Sequence, residues 1–236
     1  MKKYLTLGFR VIRYNLKIIF AGKFFWFLLA ALGFFGFFTW DLAWENKEVN
    51  EAAIFGILMF PCLLLIFYPV VFGIQNDEDN RILEIIFGIP NYRFKIWGLR
   101  MLMVYIVNFF ILVIFAYISN ILMYPVKIFE MAGQLLFPML FFGNLAFMFS
   151  TITRSGNGTA VLMIIAGLFL FVFMNSTPAL RNSFWNPFLN TFQLPNNMHP
   201  MIWQDTIVKS RIFMILGGVV FLMLGLLNLQ KREKFV

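Results

Sequence analysis

Six apolar runs dominate the chain, at about 24–43, 53–74, 98–123, 133–153, 158–175 and 212–229. Crossing the hydrocarbon core of a bilayer takes about 20 apolar residues at roughly 1.5 Å per residue, so each run is a candidate span. The fifth is on the short side and the third is long enough to tilt. Charge falls only at the edges of the runs or outside them, as Asp41, Arg100 and Asp205 do. The residues are 61% hydrophobic and 13% charged, whereas a soluble domain has about 25% charged residues. A barrel would instead show segments of about ten residues with alternating polarity, and these runs are apolar on every face. The fold expected is an all-α integral membrane protein, with a single six-helix domain over 23–236 and no room for a separate soluble domain.

Orientation follows from Lys and Arg, which are enriched in cytoplasmic loops. With the N-terminus inside, 14 of the 19 basic residues fall on the cytoplasmic side and 5 (Lys47, Lys127, Arg181, Lys209 and Arg211) on the outer side. A cytoplasmic (inner) cell membrane with both termini in the cytoplasm is therefore expected. The net charge of +8 then reflects cytoplasmic flanks facing the lipid bilayer, and no nucleic-acid partner is needed to account for it.

Residues 1–22 read as an amphipathic helix. Lys3, Thr6, Arg10, Arg13 and Lys17 recur at spacings of three and four, while Leu5, Phe9, Ile12, Leu16 and Ile19 fill the other face. Such a helix lies in the headgroup layer, either as a simple anchor or as a contact for a partner subunit. Gly22 and Lys23 mark the bend into the first span.

Between the second and third runs stand Asp77, Glu78 and Asp79, then Arg81, Leu83, Glu84, Gly88, Ile89 and Pro90, then Arg93 and Lys95. Acids at a helix start complement its dipole, Gly88 can end it, and Pro90 stops it, which predicts a short helix over about 79–88. Ile82, Ile85, Ile86 and Ile89 form one stripe, and Arg81, Glu84 and Gly88 the other. Arg81 and Glu84 are also spaced as an ordinary helix-surface ion pair, worth a few tenths of a kcal/mol.

The order acidic cluster, Leu83-Glu84, two apolar residues, a small residue, Ile89-Pro90, a variable pair, Arg93, then Gly98 and Arg100 resembles the permease subunits of ABC transporters of the ABC-2 class. Two positions depart from that pattern. Arg81-Ile82 stands where the family usually has Gly-Thr, and Gly98-Leu99-Arg100 where it has Gly-Lys. The resemblance extends to the N-terminal helix, the six spans and the long segment before the last one. It implies a transmembrane permease subunit of an ATP-driven exporter that pairs with a second permease subunit, identical or related, and with two ABC ATP-binding subunits. Its cytoplasmic helix would be the coupling helix, with Asp77, Glu78, Asp79, Arg81, Glu84, Pro90 and Arg93 at the ATPase interface. ATP and Mg would bind in the partner ATPase, with no cofactor in this chain. From a different class, a non-transporting membrane scaffold or assembly factor fits the same apolar spans.

The residues bear independently on the energy source. Ion-driven carriers place ionisable groups deep in the membrane, and here the deepest polar groups are the neutral Asn108 and Asn144, about ten residues and hence about 15 Å into their helices. They are candidates for lining a pathway or for pairing helices. No phosphate-binding loop with its lysine is present, and Ser155-Gly-Asn-Gly-Thr159 reads as a turn between spans four and five. Cys62 lies within a span and His199 is the sole histidine, so neither a metal site nor catalysis within the chain is expected.

The stretch 176–210 is apolar for a loop and is interrupted by Pro178, Pro187, Pro195 and Pro200. Short re-entrant or interfacial helices are expected in it, with Trp185, Phe188 and Trp203 as candidate outer-gate residues or as parts of a membrane-hugging cap. Pro61, Pro69 and Pro138 offer kinks within the spans.

Overall fold

The structure, a computed structural model, describes residues 24–44, 49–79, 93–196 and 198–229. The described residues are all-helical or irregular, with six helices long and apolar enough to cross a membrane, which makes the chain a multi-pass membrane protein. In chain order the α-helices among the described residues are α1 (Phe24–Trp44), α2 (Glu51–Val71), the short α3 (Gly73–Asp79), α4 (Leu99–Leu122), α5 (Ile128–Thr153), α6 (Gly156–Asn175), the single turn α7 (Pro178–Arg181) and α8 (Pro200–Asn228), all but α3 and α7 being long enough to cross. The amphipathic helix over 1–22 and most of the helix over 79–88, with Arg81, Glu84 and Pro90, lie outside the described residues.

Local chemistry explains where the helices start. Asn50 Oδ1 accepts from the Ala53 N–H at 2.9 Å and Ser155 Oγ from the Gly158 N–H at 3.3 Å, each satisfying a donor that the first helical turn leaves unpaired. Between α5 and α6 the chain turns on two residues, Arg154 and Ser155. Arg154 adopts the left-handed conformation (φ 57°) that closes a helix, and Gly156 already belongs to α6. The turn expected over Ser155–Thr159 is thus shorter, because the Ser155 side chain starts the helix at once.

α5 is the hub. It packs along α8 and α2 and also touches α4 and α6, whereas α1 rests chiefly on α2. This ranking matches burial, since α1 and α6 present most of their apolar side chains outward and α2 and α5 bury theirs. In lipid the outward Phe and Leu need no cover, so helices associate by close packing and polar pairing rather than by escape from water.

Two further boundaries differ from expectation. The last helix begins at Pro200, so the irregular stretch ends at His199, and 200–210, expected within the segment of short helices before the last span, is continuous with that span. Proline fits the first helical position, where its missing N–H costs nothing, and His199 Nδ1 accepts the Met201 N–H at 3.3 Å. Before α4 lies a π-helical turn, Arg93–Gly98, which periodicity did not suggest. Wide turns of this kind concentrate at functional sites.

Candidate functional site

The end of the bundle that carries Arg100 and Arg154 is tied together by polar side chains. Asp77 in α3 and Arg100 in the first turn of α4 form an ion pair at 2.5 Å, with the residues 1% and 4% exposed. The Arg100 guanidinium carbon also lies 4.6 Å from the Trp97 ring centre, and Trp97 in turn packs on Phe147 of α5. Gln75 Oε1 accepts the Gly156 N–H at 2.6 Å, Ser150 Oγ donates to the Val71 carbonyl at 3.3 Å, and Asn228 Nδ2 donates to the Thr151 carbonyl at 2.6 Å. Five spans are thereby connected at one level.

Geometry gives this network its interest. Asp77 lies just before residue 80 and Arg100 shortly after residue 92, so the ion pair joins the two ends of the segment that carries Arg81 and Glu84. The chain changes direction on either side of it as well. α2 stops at Val71, a bend at Phe72 separates it from α3, and the π-helical turn Arg93–Gly98 precedes α4. The acids expected at one docking surface divide: Asp77 turns inward to Arg100 while Asp79 is exposed. A short acidic run on a helix cannot point all its members one way, so one acid faces the bundle and meets the cation there.

About 9 to 12 Å further along the helices, counted at 1.5 Å per residue from Ser150 and Arg100, lie the two asparagines. They do not pair with each other. Asn144 Oδ1 accepts from Tyr105 Oη at 2.6 Å, joining α4 to α5. Gly143 permits the approach, since a Cβ there would stand 2.7 Å from Ile66 Cδ1 and 2.8 Å from Tyr105 Oη. Asn108 is fully buried and neither amide atom has a partner among the described residues. Tyr105 and Asn144 line a cleft of about 330 Å³ between α4, α5 and α8 that begins at Gly98 beside the π-helical turn. Tyr105→Phe removes the hydrogen bond and leaves the ring, so it is expected to cost about 0.6 to 1.7 kcal/mol in an unfolding titration in mixed micelles.

At the opposite end the candidate gate residues come together only in part: Phe188 and Trp203 line one cleft and Trp185 does not. Trp185 is exposed and packs edge-on against Phe213 of α8, with ring centres 5.0 Å apart. Phe188 is half-buried against Phe142 and Phe171. Trp203 is buried and lines a polar cleft of about 250 Å³ with Phe188, Arg181 and Asn186. Asn190 Nδ2 holds the loop to the Ala52 carbonyl at 2.8 Å.

One buried cation escaped the sequence reading. Arg211 is 7% exposed, donates through Nε to Gln134 Oε1 at 2.8 Å and lies over the Phe137 ring. Its place at the edge of an apolar run reads as a loop position, and only the early start of α8 brings it inward. Among the described residues no three His, Cys, Asp or Glu side chains gather as a metal site would require. Against protein-family models, curated proteins and solved structures, the chain has no match.

Proposed function

We propose that this chain is the permease subunit of an ATP-driven ABC exporter of the ABC-2 class, working as a pair of membrane subunits with two ATP-binding subunits. The observation that carries the reading is the buried Asp77–Arg100 pair, which joins both ends of the Arg81 and Glu84 segment to the spans. A push on that segment from a bound ATPase would reach α2 through α3 and α4 through the π-helical turn, and α5 through Trp97 and Phe147. A coupling element needs such a mechanical path.

The polar groups at mid-membrane add support. Asn108, Tyr105 and Asn144 are neutral, so in this reading the driving energy comes from the partner and not from an ion carried through the spans. Residues at Asp79, Arg81, Glu84 and Arg93 would face the ATPase, and the translocation path would run between the two membrane subunits. ATP and Mg belong to the partner.

Isolation of the tagged chain in mild detergent tests this directly. A stoichiometric ATP-binding subunit is expected to accompany it, and its consistent absence would overturn the reading in favour of a scaffold. Glu84→Lys is expected to lower the ATPase retained by about tenfold or more, the scale of placing like charges at an interface. Retention equal to that of the parent chain would remove Glu84 from the contact.

A further inference from the structure

The polar cleft that Trp203 lines lies where α6 ends, beside α7 and the start of α8. α6 has 20 residues and is about 30 Å long at 1.5 Å per residue, the thickness of the hydrocarbon core. Gly156 in its first turn is bonded to Gln75, beside the Asp77–Arg100 pair. Asn175, its last residue and part of the cleft, therefore reaches the opposite boundary, where hydrocarbon gives way to headgroups.

The chemistry of the lining is specific. Arg181, Asn175, Asn182 and Gln193 contribute to it, and no carboxylate of the described residues does. Among the described residues the guanidinium of Arg181 makes one hydrogen bond, from Nη2 to the Asn175 carbonyl at 3.4 Å, so the rest of its fork is open. The fold fixes its place. Buried Asn186 donates through Nδ2 to the Arg181 carbonyl at 2.8 Å and accepts the Phe188 N–H at 2.9 Å. The side chains of Asn182 and Gln193 make no hydrogen bond among the described residues. Trp203 is 5% exposed, and its Nε1 likewise has no acceptor among them. A buried donor left open is costly, and an oxygen-rich ligand supplies what it lacks.

We propose that this cleft holds the headgroup of an anionic phospholipid, a phosphodiester bearing a neutral polyol, of which phosphatidylglycerol is the simplest example. Three features select that occupant. The open guanidinium can take two phosphate oxygens through parallel N–H bonds. The carboxamides both donate and accept, as hydroxyl groups do, whereas the cation of an ethanolamine or choline headgroup would find no carboxylate in the lining. Leu194, Met201 and Ile202, each within two residues of the lining, are exposed and offer apolar surface to the attached chains. The proposal does not rest on the transport reading and holds equally for an exporter or a scaffold.

The test uses the full chain, purified in a non-ionic detergent. It is titrated with dioctanoyl forms of phosphatidylglycerol, phosphatidylmethanol and phosphatidylcholine, and bound lipid is read by native mass spectrometry. Phosphatidylglycerol is expected to bind most tightly. Phosphatidylmethanol, which keeps the charged phosphodiester and lacks the polyol, is expected to bind about tenfold more weakly, and phosphatidylcholine more weakly still. Arg181→Gln should lower affinity for phosphatidylglycerol by about tenfold, the scale of losing a hydrogen bond to a charged group. Lys127→Gln removes an exposed cation outside the cleft at the same end of the bundle and should leave affinity unchanged. Asn182→Ala combined with Gln193→Ala breaks no hydrogen bond of the described residues. It should abolish the preference for phosphatidylglycerol over phosphatidylmethanol while phosphatidylmethanol binds as before.

Equal affinity for phosphatidylglycerol and either of the other lipids would overturn the proposal. Equal losses in Arg181→Gln and Lys127→Gln would do the same, by showing attraction to net charge without a site. Displacement of the lipid by glycerol 3-phosphate at matching concentration would assign the cleft to a free phosphate ester and overturn the lipid as its source.

Discussion

Asp77→Ala is expected to destabilise the folded chain by about 3–5 kcal/mol, the cost of leaving a buried cation without its counter-ion. Arg100 would remain under Trp97 in a site where it is 4% exposed, with nothing to balance its charge. Removing both partners should cost much less, so Asp77→Leu combined with Arg100→Leu is expected to recover most of the loss. Asp79→Ala, at an exposed position two residues on, should change stability by about 0.5 kcal/mol or less. Unfolding in mixed micelles measures all of these. If Asp77→Ala were as mild as Asp79→Ala, the pair would not be closed in the protein. In the exporter reading the double variant has a second use, because a stable chain lacking the pair should bind the ATPase normally yet respond weakly to ATP.

Gly225→Leu is expected to produce the next largest loss, about 3 kcal/mol, at the upper end for forcing extra atoms into a packed interface. A Cβ on Gly225 of α8 would stand 2.7 Å from the Phe147 ring and 3.5 Å from the Met148 Cα of α5. Phe147 is 1% exposed and packs against Trp97, so it has no free space to move into. The two helices would have to part instead. That matters more in lipid than in water, since tails are as apolar as the side chains and only close packing holds spans together. Gly36→Leu on the open face of α1 should be nearly silent in the same titration. Equal losses for the two variants would show that α8 does not approach α5 as closely as described.

The polar contacts were the least legible part of this molecule, and the reason is physical. Asp77 looked like one of three acids on a docking surface, and its inward turn depends on Arg100, 23 residues later, arriving beside it. Asn144 was recognisable as a group that must find a partner, but a list of residues does not say that Tyr105 provides it and that Asn108 finds none among the described residues. Arg211 looked like a loop cation because apolar content begins at Ile212, yet α8 starts twelve positions earlier at Pro200.

Hydropathy by itself settles how many candidate spans there are, close to where all but the last begin and end, and that water is not the main solvent. Those properties depend on runs of neighbouring residues and on a bilayer of fixed thickness, both of which are local or external to the fold. The distribution of Lys and Arg likewise carries an expected orientation without any contact being known. Which helix becomes the hub and which acid meets which arginine are decided only in three dimensions. In an apolar medium nearly any apolar face can meet any other, so small residues such as Gly143 and Gly225, and polar pairs separated by tens of residues, select one arrangement of the six helices.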